Sequence, residues 1–199
     1  MRPSLDDALG VLHRVRREHD IVVTTMAPAR VWMQLGAGPR DLVLVPSAMG
    51  HATSFGLGLA LAQPSRRVVV CNGDGSMLMN LGALVSITAA APPNLVLIVF
   101  DNGVYEVTGS QPTPGAAQGR AGAASVDFAA MARAAGFPSV FRFSDLAAWS
   151  RDIQRVLRAE GPTFAAIDVT SIPGTPGPRS PGPAGERAKR FMAALRDEG

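Results

Sequence analysis

Segment 67–109 constrains the fold more than any other part of the chain, because it contains two apolar runs that each end in a polar turn. The run at 68–70 is three valines without polar alternation, a pattern typical of a strand buried on both faces. A helical spacing of apolar residues follows at 78–87, and the run at 95–100 predicts a second buried strand. A strand, a helix and a strand in this order form a crossover, so the two strands are predicted to be parallel.

The turns after these strands are predicted to meet at one edge of the sheet. Gly-Asp-Gly-Ser at 73–76 is the predicted turn after the first strand, and Asp-Asn-Gly at 101–103 follows the second. The carboxyl ends of parallel strands share an edge, which is where open α/β sheets bind ligands. Asp74 and Asn102 are therefore expected to lie close together.

This pair of turns suits a magnesium ion that carries a diphosphate. Mg²⁺ prefers oxygen ligands and takes only a few of them from protein. Asp74 offers a carboxylate, Asn102 an amide oxygen, and a backbone carbonyl just after Asn102 a third ligand. The amides of Gly75 and Ser76, at the start of the following helix, would face phosphate oxygens. The alternative is a plain turn with Asp74 as an N-cap, but the 25 residues between Gly75 and Asp101 make the pattern more specific than an isolated Gly-Asp-Gly.

The same spacing resembles the diphosphate-binding signature of thiamine-diphosphate (ThDP) enzymes. Asn102 matches the second asparagine of that signature, and Asp101 replaces the first. The wider stretches at 47–52 and 101–113 resemble phosphonopyruvate decarboxylase and the β subunit of sulfopyruvate decarboxylase. The resemblance extends over roughly 21–172 and is strongest at 49–113.

The resemblance implies roles for individual residues. Met49 matches the apolar side chain that bends the cofactor, although alone it would be a gap-filling core residue more often than not. Ser47 matches a backbone carbonyl that accepts from the pyrimidine amine, and Val104 a carbonyl that binds the metal. His51 follows Met49 and is either an active-site residue, with a catalytic role as Met49 has, or an ordinary polar residue at a helix start. The full predicted cofactor-binding set is Ser47, Met49, Gly50, Gly73, Asp74, Gly75, Ser76, Asn102, Val104 and Tyr105, of which Asp74, Asn102 and Val104 bind the metal.

The resemblance also implies that part of the active site lies on a second polypeptide. The family uses a glutamate on a separate pyrimidine-binding domain, and this chain has room only for the diphosphate-binding domain. We therefore expect a split enzyme in which an α-type, pyrimidine-binding subunit supplies that glutamate. The expected reaction is the decarboxylation of a 2-oxo acid such as 3-sulfopyruvate or 3-phosphonopyruvate to CO₂ and an aldehyde. The alternatives are another split ThDP enzyme (a carboligase resembling acetolactate synthase, or a 2-oxoacid oxidoreductase) and a subunit of the same fold without turnover. Tyr105 and Glu106 follow the metal-binding loop and line the substrate side or belong to a surface helix.

Strands that alternate with helices along the whole chain predict a three-layer α/β/α fold with a doubly wound, mainly parallel sheet. We expect one domain over 1–199, in which a Pro/Gly-rich segment at 171–185 leads to a terminal helix at 186–197. Helices are also predicted at 29–35, 52–62, 128–135 and 146–158, and a loop over the site at 111–123. A Rossmann dinucleotide site is disfavoured, because no Gly-x-Gly-x-x-Gly opens a first strand–helix turn.

Composition excludes several functions. The single cysteine, Cys71, is expected to be a small buried side chain, which fits a reducing compartment. The net charge of +3 comes from scattered basic residues without interleaved aromatic ones, so nucleic-acid binding is not expected. The charged, amphipathic amino terminus and the lack of a long apolar run predict neither a signal peptide nor a membrane span, and hence a cytoplasmic protein.

Overall fold

The computed structural model describes residues 1–46, 49–116 and 125–196. Six of its strands form one parallel sheet in the order β2-β1-β3-β4-β8-β7, and two short strands, β5 and β6, form an antiparallel hairpin. The strands are β1 (Ile21–Thr25), β2 (Asp41–Leu44), β3 (Val68–Gly73), β4 (Leu95–Asp101), β5 (Val104–Tyr105), β6 (Gln111–Pro112), β7 (Ser139–Phe143) and β8 (Thr163–Asp168). The predicted doubly wound parallel sheet is confirmed.

Helices cover both faces of the sheet. They are α1 (Leu5–Val15), α2 (Met26–Leu35), α3 (Ala52–Ala62), α4 (Asp74–Leu78), α5 (Gly82–Ala90), α6 (Phe128–Ala135), α7 (Leu146–Arg158) and α8 (Ala184–Arg196). Capping side chains fix several of the starts: Asp145 accepts from the backbone N–H of Ala148 at 2.9 Å, and Asp127 accepts from that of Ala130 at 2.9 Å. Among the described residues, no helix has the length and apolarity that crossing a bilayer requires.

Two apolar cores lie on opposite faces of the sheet. Helices α1, α2 and α7 pack on one face, where the Trp149 indole N–H donates to the Ala8 carbonyl at 2.9 Å. Helices α3, α5, α6 and α8 pack on the other. The central strands are buried on both sides, as the unbroken apolar runs predict. Cys71 in β3 is fully buried as predicted, and this burial raises the pKa of its thiol.

The strand order reverses beside β1, since β2 lies on one side of it and β3 on the other. Open α/β sheets form a ligand-binding crevice at such a reversal, outside the carboxyl ends of the strands. The first residue after β1, Met26, has a φ of 55°, a left-handed conformation that is unusual for a residue with a side chain. The fold thus provides a crevice between the segments that follow β1, β3 and β4.

Three predictions about local structure were wrong in detail. Residues 73–76 are not a turn that precedes a helix, because α4 already begins at Asp74, and the helical pattern at 78–87 is split into α4 and α5. The second helix begins at Met26 rather than at 29. The predicted loop at 111–123 starts with β6, which pairs with β5, and its residues from 117 onward lie outside the described residues.

Candidate cofactor site

A cleft lies at the carboxyl edge of the sheet, and segments that follow five of the parallel strands contribute to it. Its free volume is about 60 Å³. The start of α4 and the β4–β5 turn contribute polar groups to its lining, and the residues from the other segments are mainly apolar. The lining residues are Leu5, Met26, Ala27, Pro28, Met49, Gly73, Asp74, Gly75, Ser76, Phe100, Asn102, Val104, Tyr105, Glu106, Val107, Thr108 and Val169. Most of the predicted cofactor residues therefore share one cleft.

The pKa of Asp74 is strongly raised by its surroundings in the cleft. It is the first residue of α4 and its side chain is buried, with only 3% of the residue exposed. Burial, and then the negative charge of Asp101, raise the pKa of Asp74 to about 6, although the carboxylate accepts from Thr113 Oγ1 at 3.2 Å and from the backbone N–H groups of Gly75 and Asn102. A buried carboxylate at the floor of a cleft is a good ligand for a divalent cation, which would compensate its charge.

The turn after β4 borders the same cleft through Asn102 and Val104, and side-chain oxygens brace its backbone. Asn102 Oδ1 accepts from the backbone N–H of Val104 at 3.0 Å, and Asp101 Oδ1 accepts from that of Gly103 at 3.2 Å. Gly103 has a φ of 74°, and its carbonyl accepts from the backbone N–H of Thr113 at 2.9 Å. The hairpin β5–β6 thereby brings Thr113 to Asp74. Asp101, which stands where the family signature has an asparagine, supports the turn and raises the pKa of Asp74.

The predicted metal ligands Asp74, Asn102 and Val104 all line the cleft. In the parts of the chain that the structure describes, no three His, Cys, Asp or Glu side chains converge on a point that would hold a metal. A cation at Asp74 would therefore take most of its ligands from amide and carbonyl oxygens, from a phosphate or from water, which is typical of Mg²⁺.

The start of α4 is a close-packed platform. A methyl group added at Gly75 would lie 2.6 Å from Tyr105 Cε1, so the tyrosine ring rests on the glycine backbone. Ser76 is buried, and its hydroxyl accepts from the backbone N–H of Gly50 at 3.0 Å. Backbone amides at the start of a helix can donate to phosphate oxygens.

The turn that precedes α3 lies beside this platform. Met49 lines the cleft. Gly50 has a φ of 78°, and its carbonyl accepts from the Asn80 side-chain amide at 2.7 Å. His51 is exposed and is not among the described residues that line the cleft; its Nδ1 lies 3.0 Å from the Met49 carbonyl oxygen. Ser47 lies outside the described residues.

Sequence analysis missed two residues that organise the site, Thr113 and Asn80. Thr113 binds Asp74 only because the hairpin folds back, and Asn80 joins α4 to the turn at Gly50. Neither contact has a local sequence signal. Glu106, whose position was left open, is 7% exposed, lines the cleft, and accepts from the backbone N–H of Ile172 at 2.6 Å.

Comparisons with known proteins agree with this geometry. Residues 20–169 match the family model described as thiamine pyrophosphate enzyme, C-terminal TPP binding domain. The chain is 39% identical to the sulfopyruvate decarboxylase subunit beta of Methanothermobacter thermautotrophicus over 167 residues, which are 83% of this chain and 80% of that one. It is also 39% identical to the phosphonopyruvate decarboxylase of Streptomyces viridochromogenes over 195 residues, which cover 96% of this chain but only 46% of the relative.

A solved structure supports the fold. It belongs to a Mycobacterium smegmatis protein described as a thiamin diphosphate-dependent enzyme, and it superposes with a TM-score of 0.67 at 18% identity. The superposition covers 84% of this chain and 32% of that protein. At this identity the likeness establishes the fold alone.

Proposed function

Because the chain belongs to the thiamine pyrophosphate enzymes, as a C-terminal TPP-binding domain, we propose that it is the β-type subunit of a 2-oxo-acid decarboxylase that depends on ThDP and Mg²⁺. The observation that carries the proposal is the match to a decarboxylase subunit beta over 80% of that subunit's length. The cleft supports it, because Asp74, Asn102 and Met49 line the same cavity.

The residues of this chain would hold the cofactor at its diphosphate end. The Asp74 carboxylate, the Asn102 amide oxygen and the Val104 carbonyl would bind Mg²⁺, and the amides of Gly75 and Ser76 would donate to phosphate oxygens. The pKa of Asp74 suits this role, because a carboxylate that is hard to ionise in the empty cleft becomes charged when a cation binds. Met49 would support the bend of the cofactor from below, and the Ser47 carbonyl would accept from its pyrimidine amine.

When bound, ThDP supplies the thiazolium carbon that adds to the 2-carbonyl of the substrate and accepts the electrons released as CO₂ leaves. This chain would orient the cofactor, fix the metal and exclude water with the apolar wall of the cleft, which includes Met26, Phe100 and Val169. The proposed substrates are 3-sulfopyruvate and 3-phosphonopyruvate, the acids named in the two relatives. An α-type, pyrimidine-binding subunit would supply the glutamate that activates the cofactor.

The test uses the full chain mixed with a candidate α-type chain, one that resembles a pyrimidine-binding domain. CO₂ and aldehyde are measured for 3-sulfopyruvate, 3-phosphonopyruvate and pyruvate, with and without an acceptor aldehyde. We expect CO₂ and an aldehyde from one of the first two acids, no turnover by this chain alone, and loss of activity in Asp74→Ala. Asp152→Ala, which removes a carboxylate from α7, is the control and should retain activity. A condensation product that requires the acceptor would instead identify a carboligase and overturn the decarboxylase proposal.

A further inference from the structure

Asp101, the last residue of β4, carries a negative charge that no ion pair compensates. Within the part of the chain that the structure describes, neither Asp101 nor Asp74 belongs to an ion pair. The arginines at this edge of the sheet pair instead with Asp168, which lies opposite Asp101 in the register of β4 and β8: Arg142 is 3.4 Å from its carboxylate and Arg2 is 3.9 Å from it. Two carboxylates without ion-pair partners therefore lie beside the proposed metal position.

These two carboxylates repel each other. The charge of Asp101 is the largest cause after burial of the raised pKa of Asp74. Burial, and then the charge of Asp168, raise the pKa of Asp101 as well. Like charges that are partly removed from water destabilise each other, and a divalent cation nearby relieves the repulsion. The signature that this chain resembles has an asparagine at position 101, so the second charge is a feature of this sequence.

Three hydrogen bonds in series join Asp101 to Asp74. Asp101 Oδ1 accepts from the backbone N–H of Gly103 at 3.2 Å, the Gly103 carbonyl accepts from the backbone N–H of Thr113 at 2.9 Å, and Thr113 Oγ1 donates to Asp74 at 3.2 Å. Asp101 thus acts on the metal position through its neighbours, although it is not among the described residues that line the cleft. An asparagine would offer the same acceptor oxygen to Gly103, so only the charge distinguishes an aspartate here.

We propose that Asp101 is a positioning residue whose charge attracts Mg²⁺ to Asp74 before ThDP binds; this inference rests on the metal site of the proposed function. The diphosphate of ThDP brings its own negative oxygens, so a metal that binds together with the cofactor needs little charge from the protein. A second carboxylate matters most while the diphosphate is absent, and it repels a diphosphate that arrives without a metal. The chain therefore takes up the metal first and the cofactor second.

The experiment measures Mg²⁺ binding to the full chain alone at about pH 8, where carboxylates are ionised. Calorimetry and the rise in melting temperature with Mg²⁺ concentration are the two readouts, and sodium chloride at equal ionic strength corrects for screening. Asp101→Asn removes the charge and keeps the acceptor for Gly103, whereas Asp101→Ala removes both. Asp145→Asn is the matched control, because Asp145 is the N-cap of α7 and asparagine serves equally well in that position.

The charge and the support of the turn have different expected effects. Without ThDP, Asp101→Asn should weaken Mg²⁺ binding about 10-fold or more, because a unit charge near the cation is lost. With saturating ThDP and a candidate α-type chain, the same substitution should change the Mg²⁺ affinity by less than about threefold, since phosphate oxygens then supply the charge. Asp101→Ala should weaken binding in both conditions, and the control should bind like the wild type in both.

The outcomes separate this inference from the proposed function. Equal Mg²⁺ affinities of the wild type and Asp101→Asn without ThDP overturn the inference, as does a wild-type chain that binds Mg²⁺ only after ThDP is added; both results leave the proposed function intact. A loss of the same size with and without ThDP assigns Asp101 to support of the turn alone and also overturns the inference. Failure of the wild-type mixture to bind ThDP in Mg²⁺ overturns the proposed function, and the order of binding with it.

Discussion

Replacing Asp74 by asparagine is expected to stabilise the cofactor-free chain at neutral pH. The folded chain holds the proton of Asp74 more tightly than the unfolded chain does, because the pKa rises from 3.8 to about 6 on folding. Ionisation therefore lowers the free energy of unfolding as the pH rises through this interval, and the loss is complete above it. The difference in pKa corresponds to about 3 kcal/mol, at about 1.4 kcal/mol per unit. Asparagine introduces an amide N–H₂ group that needs hydrogen-bond acceptors, so the expected gain in the free energy of unfolding is about 1–3 kcal/mol.

The assay is thermal unfolding of wild type and Asp74→Asn from pH 4 to pH 8 with a metal chelator present. For a domain of this size the gain corresponds to a melting temperature about 3–10 °C higher at pH 8. The gain should shrink as the pH falls toward 4, where the carboxyl group is neutral in the folded wild type. Asp152→Asn is the control: Arg151 lowers the pKa of Asp152, so this variant should gain no stability at pH 8. A variant Asp74→Asn that melts lower than wild type at pH 8, or whose gain does not depend on pH, would refute the argument.

Three further predictions concern cofactor binding, helix packing and the carboxyl-terminal segment. Mg²⁺-dependent ThDP binding should weaken below about pH 6 and release protons near that pH, because Asp74 must ionise to bind the metal; calorimetry in buffers of different ionisation enthalpy measures both effects. Gly56→Ala should lower the free energy of unfolding by about 1–3 kcal/mol in a denaturant titration, because the new methyl would lie 2.2 Å from a side chain of β3. Gly58→Ala should raise the free energy of unfolding by about 0.5–1 kcal/mol, because no atom lies within 4 Å of the new methyl. Equal effects at the two positions would contradict the packing. Glu106→Ala should speed amide hydrogen exchange at Ile172 because it removes the acceptor of that N–H, while Glu106→Gln keeps an acceptor and should leave the exchange near wild type.

Much of the fold could be predicted because local and long-range preferences agree in it. The helices predicted at 52–62, 128–135 and 146–158 have those bounds in the structure. Asp127 and Asp145 mark two of these starts as N-caps, and the apolar spacing marks the buried sides. Strand β1 likewise ends where its β-branched run ends. In such segments no tertiary contact competes with the local signal.

The break between α4 and α5 shows where that agreement fails. Apolar spacing at 78–87 continues without interruption, so the sequence favours one helix. The side chain of Asn80 instead binds the Gly50 carbonyl and Ser54, which are remote in sequence, and the chain leaves the helix around it. A tertiary contact here overrides helical propensity, and no local pattern announces it.

The candidate site was predictable to a similar extent. Asp74 and Asn102 were expected together because the carboxyl ends of parallel strands share an edge, and their segments are in contact. The link from Thr113 to Asp74 depends on a hairpin whose strands have two residues each, too short to give a periodic signal. His51 differs from its neighbour, since Met49 lines the cleft whereas the side chain of His51 is exposed.

The central claim is that Asp74 and the turn after β4 hold a Mg²⁺-bound ThDP between this chain and an α-type subunit. The most direct measurement is calorimetric titration of ThDP, in Mg²⁺ and in chelator, into this chain alone and into its mixture with a candidate α-type chain, one that resembles a pyrimidine-binding domain. The account predicts metal-dependent binding that tightens greatly with the partner and disappears in Asp74→Ala. Failure of the wild-type mixture to bind ThDP in Mg²⁺, or equally tight binding by Asp74→Ala, would contradict it.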